Sequence, residues 1–92
     1  MSKDITTQKW NLIGFIKVSP VRYAVLKALE GKFLIPIEIS KQTGFTPSQV
    51  SNALHGLKEN ELVICQNEEI RKGRIYQNTS LGSELLQIID KQ

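Results

Sequence analysis

The spacing of apolar positions changes several times along this 92-residue chain, and each change marks an element. Val21, Val25, Ala28 and Leu29 recur at i, i+4, i+7 and i+8, an apolar stripe on one side of a helix. Ser19 stands before it as an N-cap, and Pro20 takes the first helical position, where a missing N–H costs nothing. Gly31 supplies a left-handed stop. A second clear stripe follows Thr46, an N-cap, with Pro47 next and Gln49 placed to close a capping box. With Val50 at the centre of the buried side, Ala53, Leu54 and Leu57 lie within about 60° of it at about 100° per residue. Ser48, Ser51, Asn52, His55 and Glu59 point the other way, and the helix ends near Asn60, with a turn at Glu61.

Weaker patterns fill the rest. "PIEISKQT" reads as a short helix opened by Pro36 and ended by Gly44, with Ile39 inward. "KFLIP" before it reads as a brief strand, because the residue before a proline is pushed towards extended geometry. Thr7–Val18 is apolar without a clean period: Trp10, Ile13 and Lys17 share one helical side, Leu12 and Ile16 another. A short helix is expected there. "LVICQN" (Leu62–Asn67) and "RIYQNT" (Arg74–Thr79) are β-prone and flank "EEIRKG", which predicts an antiparallel hairpin with a long loop. Gly73 can bend the chain into the second strand. "TSLGSELLQIIDK" carries Thr79 or Ser80 as a cap and Leu81, Leu85, Ile88 and Ile89 as its stripe, with Gly82 weakening the first turn.

Two short helices around a Gly-containing turn, then a hairpin, is the plan of a winged helix-turn-helix. The predicted fold class is α+β: a three-helix core with a β-hairpin wing and additional N- and C-terminal helices. Residues 1–92 are expected to form one domain, with the helix-turn-helix over about residues 36–60 and the wing over about residues 62–79.

Composition narrows the function. At 40% hydrophobic and 23% charged, the chain is too apolar for a disordered one. One cysteine and one histidine leave no internal disulfide and no structural zinc cluster, so neither metal nor cofactor is expected. No apolar run reaches membrane-spanning length or looks like a signal peptide, and a soluble cytoplasmic protein is expected. Cys65 alternates with Val63 on one strand face and reads as a small buried hydrophobe. No nucleophile–histidine–acid set, phosphate-cradling Gly-rich loop or framed carboxylate pair appears, so the chain is not expected to be an enzyme.

The net charge of +3 permits a polyanionic partner. Six of the Lys and Arg residues (Lys3, Lys9, Lys17, Arg22, Lys27, Lys32) precede residue 33, against only Asp4 and Glu30. A second basic cluster is "RKGR", Arg71 to Arg74. The outward side of the 47–59 helix is different. Solvated helix faces usually carry Lys and Glu, whereas this one carries Ser48, Gln49, Ser51, Asn52 and His55. Apart from Gln these are weaker helix formers, but they are short donor–acceptor groups able to meet base edges. Alone, Arg71, Lys72 and Arg74 would be ordinary loop charge; beside a helix-turn-helix they become candidates for phosphate or minor-groove contacts. Arg22 and Lys17, near the start of the first clear helix, could add DNA-backbone contacts, and Arg22 could equally serve as an ion-pair partner. Trp10, Phe15, Leu85, Ile88 and Ile89 could be core, or could join two copies of the chain.

The sequence also resembles a known group. "SQVSNALHGLKENELV" resembles the recognition-helix signature of ArsR/MarR-type winged-helix regulators, with its Ser-x-Val-Ser-x-x-Leu-x-x-Leu rhythm ending in Leu-Val. "LVICQN", "KGRIYQNT" and "TSLG" resemble the wing of small archaeal members of that group, and "SPVRYAVLKAL" their opening helix. The resemblance spans about Ser19 to Ile89. It implies transcriptional regulation through double-stranded DNA, with the Gln49 to His55 region in the major groove and Arg71, Lys72 and Arg74 on the wing. Separately, the apolar ends of so small a domain could pair two copies as a homodimer through the terminal helices. The candidate DNA-binding residues are Thr46, Ser48, Gln49, Ser51, Asn52, His55, Lys58, Arg71, Lys72 and Arg74. The cysteine-rich metal sites of the metalloregulators in that group are absent from this sequence, so metal control is not expected. The alternative is a winged helix that acts as a protein–protein adaptor, which an exposed apolar patch on the same helix would favour.

Overall fold

The computed structural model describes residues 5–92, with side chains from Thr7 onward; Lys3 and Asp4 of the basic N-terminal third lie outside the described residues. The elements follow in the order α1 (Ile5–Lys17), α2 (Pro20–Ala28), α3 (Pro36–Thr43), α4 (Pro47–Glu59), β1 (Val63–Cys65), β2 (Tyr76–Asn78) and α5 (Ser80–Asp90). This is an α+β winged helix.

The helix starts are where cap chemistry puts them. Ser19 Oγ accepts from the Arg22 N–H at 3.2 Å. The capping box at α4 is complete: Gln49 N–H donates to Thr46 Oγ1 at 3.2 Å, and Thr46 N–H to Gln49 Oε1 at 2.9 Å. At α3 only half a box exists. Glu38 Oε1 accepts from the Ile35 N–H at 3.0 Å, but Ile35 has no side-chain acceptor to return the contact. Gly44 closes α3 at φ 82°, and its N–H reaches Ser40 O at 2.9 Å. Glycine takes this left-handed conformation without a Cβ penalty, which lets the chain reverse into α4.

α2, α3 and α4 pack on one another, while α1 and α5 close over α2. Val25, Leu26, Ile39, Val50, Leu54, Leu57, Leu85 and Leu86 lie in one continuous core. Each such side chain contributes roughly 1.5–3 kcal/mol on burial, so α4 is anchored firmly by Val50, Leu54 and Leu57. α5 is also tied down by polar contacts. Lys9 pairs with Glu84 at 2.6 Å, and Lys17 Nζ donates to Gln92 Oε1 at 2.9 Å. Asp90 accepts from both Lys27 and Tyr23 at 2.6 Å. The hydrogen bond from Lys27 first, then that from Tyr23, holds the Asp90 carboxyl below its ordinary range. The same bonds raise Lys27 and Tyr23 above theirs.

The wing is shorter in its ladder than its β-prone runs suggest. β1 and β2 pair antiparallel with Val63 opposite Asn78, Ile64 opposite Gln77 and Cys65 opposite Tyr76. Beyond them Asn67 replaces the ladder with its own amide. Its Oδ1 accepts from Ile75 N–H at 2.8 Å, and its Nδ2 donates to Gly73 O at 3.2 Å. "KFLIP" is not a strand. Leu34 alone bridges Tyr76, through bonds of 3.0 and 2.8 Å, because Pro36 opens α3 two residues later. At the other end, Thr79 clasps the hairpin base. Its N–H donates to Leu62 O at 3.1 Å, and its hydroxyl donates to Glu61 O at 2.7 Å while accepting from Gly82 N–H at 3.0 Å.

Three packing details depart from the stripes. Leu26 and Leu86 are fully buried although neither belongs to the counted stripe of its helix. On α1 the buried pair is Ile13 and Ile16, and Trp10 is 56% exposed. Gly82 marks a close approach to backbone: a Cβ there would stand 2.1 Å from Leu62 O. Near α2, Gly31 (φ 68°) turns the chain towards Leu34, after the helix has already ended at Ala28. Asn78, on β2, donates from Nδ2 to Leu26 O at 2.9 Å, satisfying a carbonyl near the end of α2. Such terminal carbonyls have no partner within the helix.

Candidate nucleic-acid interface

The capping box aims α4 and the core side chains fix its rotation. Ser48, Gln49, Ser51, Asn52 and His55 are consequently all exposed. Their side is divided between two concavities. Ser51, His55 and Lys58 line a cleft of about 310 Å³ whose other walls are Pro36, Leu54, Arg71, Arg74 and Tyr76. Gln49 and Asn52 line a shallower depression on the opposite flank, together with Ser19, Val21, Arg22 and Ala53. Ser48 lies between the two flanks by helical rotation.

The ten candidate residues do not stand alike. Thr46 Oγ1 and Gln49 Oε1 are engaged in the capping box, so the Gln49 amide nitrogen is the group left to project outward. His55 lies 3.4 Å from Glu59 one turn on. Lys58 is bonded to Glu68 of the wing loop, and this bond is the largest cause raising the lysine and lowering the carboxyl from their ordinary values. Exposed pairs of this kind add little stability. Their effect here is geometric, since the last turn of α4 is tethered to the wing. Arg74 is turned back into its own loop, with Nε donating to Ile70 O at 2.6 Å and a terminal nitrogen to Glu68 O at 3.0 Å. Arg71 and Lys72 are exposed at the loop's tip, with no ion pair among the described residues.

Arg22, which the sequence leaves between a backbone contact and an ion-pair partner, also stands in this site. Among the described residues it pairs with no carboxylate. NH1 instead donates to Phe15 O at 2.8 Å, and the guanidinium carbon lies 3.8 Å from the Phe15 ring centroid. Phe15 and Arg22 are seven residues apart across a helix junction, and no single-helix spacing predicts their stacking. Tyr76 and Pro36 also line the wing-side cleft, although as candidates they had read only as a strand residue and a helix opener.

Cys65 is buried. Among the described residues no cluster of three or more His, Cys, Asp or Glu side chains could hold a metal ion, and no helix is long and apolar enough to cross a membrane. The large apolar residues exposed among them are Trp10, Val18, Phe33, Ile37, Ile64 and Ile70, none of which lies on α4.

No protein-family model matches the chain, and no curated protein does. Its fold is similar to that of two solved structures of a double mutant of Lactococcus lactis ZitR. One, in apo form, has a TM-score of 0.70 at 17% identity, covering 98% of this chain and 73% of that one. The other has a TM-score of 0.69 at 14% identity, covering 98% of this chain and 75% of that one. At such identities the likeness is one of fold.

Proposed function

We propose that this chain is a single-domain, sequence-specific double-stranded DNA-binding regulator of transcription. α4 enters the major groove and the wing, about residues 67–74, rests on backbone or minor groove. One observation carries the reading: Ser51 and His55 of the small polar face of α4 line one cleft with Arg71 and Arg74 of the wing, and no large apolar residue is exposed on that helix. A protein-docking face would be expected to show such an apolar patch.

In this reading Ser48, Gln49, Ser51, Asn52 and His55 meet base edges. Asn is suited to adenine, through paired contacts to N6 and N7. Thr46, Lys58, Arg71 and Lys72 meet phosphates, and Arg74 shapes the loop that presents them. Pairing of two copies through the terminal helices, where Trp10 is exposed, would place two α4 helices on half-sites about one helical turn apart.

The experiment is selection of bound sequences from a pool of random duplexes, with the stoichiometry of the complex recorded. An enriched motif with two-fold symmetry is expected. Failure to enrich any motif, together with weak binding insensitive to salt, would refute the reading in favour of an adaptor. On the selected site, Asn52→Ala should relax preference at one base position, at a cost of roughly 1–3 kcal/mol. Equal loss on every sequence would show that Asn52 does not specify a base.

A further inference from the structure

The Arg22 guanidinium is held in place by neutral groups. One donor is engaged by Phe15 O at 2.8 Å, and the ring of the same residue lies 3.8 Å below. The ring in turn lies against α4, because a Cβ at Gly56 would come 3.3 Å from Phe15 Cζ. Three helices therefore meet in one stack: α4 at Gly56, α1 at Phe15 and α2 at Arg22. A guanidinium carries five N–H donors in a rigid fork. Stacking fixes the plane of that fork without neutralising it, so the other donors are oriented in advance for an anion. They adjoin the depression that Arg22 shares with Ser19, Gln49 and Asn52.

This depression is on the flank of α4 away from the wing. At about 100° per residue, Gln49, Asn52 and Gly56 fall to one side of Ser48, and Ser51, His55 and Lys58 to the other. A helix about 10–12 Å across in a major groove about 12 Å wide has a phosphate strand along each side. The wing supplies cations to one side only. Arg22, which has no ion pair among the described residues, is a cation on the other.

We propose that Arg22 binds a backbone phosphate of the DNA strand on the side of α4 away from the wing, with Phe15 and Gly56 holding it in position. This rests on the DNA-binding reading above and adds to it a second, oppositely placed anchor, so that α4 is gripped from both strands.

The test measures affinity for a short mixed-sequence duplex across a range of salt concentrations. Arg22→Gln should make the log–log salt slope shallower by about 0.9, so that a fourfold rise in salt costs the wild type about 3.5-fold more affinity than the variant. Arg22→Lys keeps the charge and should keep the slope. Circular dichroism checks that both variants fold. In the wild-type protein, with no substitution needed, the Arg22 Nε–H resonance should shift when the duplex is added. Salt-dependent binding with an unchanged slope in Arg22→Gln and an unmoved Nε–H signal would overturn this proposal and leave the DNA-binding reading standing. A slope lowered equally by Arg22→Lys would trace the effect to the stack rather than to phosphate, and would overturn it too. No salt-dependent binding by the wild type would overturn both.

Discussion

Replacing Gly82 with alanine should destabilise the protein, although alanine is the better helix former. In α5 an exposed Gly→Ala change would gain about 1 kcal/mol of helix propensity. Here the added Cβ would stand 2.1 Å from Leu62 O and 3.1 Å from Leu62 C. The obstacle is backbone, so no rotamer change relieves it. To reach an ordinary contact of about 3.4 Å, the first turn of α5 must move away from the hairpin base. That movement strains the Thr79 N–H to Leu62 O bond of 3.1 Å, worth about 1 kcal/mol. Overpacking of this kind costs roughly 1–3 kcal/mol or more. With the strained bond added and the propensity gain subtracted, a net loss of about 1–3 kcal/mol is expected. For a domain of this size the melting temperature should then fall by about 5–20 °C. Urea titration followed by circular dichroism measures the loss as a lower midpoint at unchanged slope. A Gly82→Ala protein as stable as the wild type would refute the argument, because it would mean that α5 does not sit on Leu62 as described.

Gly14→Ala is the counterpart: Gly14 is an exposed residue of α1 with nothing within 4 Å of an added Cβ, so this change should stabilise by about 0.5–1 kcal/mol and raise the melting temperature by a few degrees. Asp90 has a lowered pKa, so its contribution is complete above the ordinary value of 3.8 and is lost as pH falls through the lowered one. Asp90→Asn should therefore be less stable at neutral pH but lose less on acidification below about pH 4, as thermal melts across pH would show; parallel curves would remove the carboxylate from the account. Arg71→Ala should lower the log–log salt slope of DNA binding by about one. Arg74→Ala should change the slope less but speed proteolytic cleavage within residues 68–73, because the carbonyls of Glu68 and Ile70 lose their donor.

Local chemistry made much of this fold legible. Ser19–Pro20, Thr46–Pro47 and Gly44 announce helix boundaries through their own backbones and side chains, and the buried set of α4 follows from rotation alone. What could not be read depended on contacts between elements. Gly82 looked like a weak point of α5 because propensity is a property of one helix, while its need arises from the carbonyl of Leu62 across the hairpin base. The β-prone runs around the wing overstate its strands because β-propensity carries no information about Asn67 and Arg74, whose side chains bind loop backbone in place of a ladder. The same limit applied at the candidate site. Arg74 and Arg71 look alike in "RKGR", yet one is turned inward and the other outward. Arg22 could be read as an ion-pair partner or a DNA-backbone contact; it has no ion pair among the described residues, and the ring and carbonyl that hold it lie on another helix, where no local pattern could point to them.

The clasp at Thr79 has a consequence for how this protein can change over generations. Two of its hydrogen bonds, to Leu62 O and Glu61 O, close the hairpin at its base while the third caps α5, so the loop from Asn67 to Gly73 joins the fold through a gate already shut beneath it. Insertions or deletions at the tip need not be transmitted to the core. Relatives of this chain can therefore vary wing length and charge to suit new partners while α4 and α5 keep their seats.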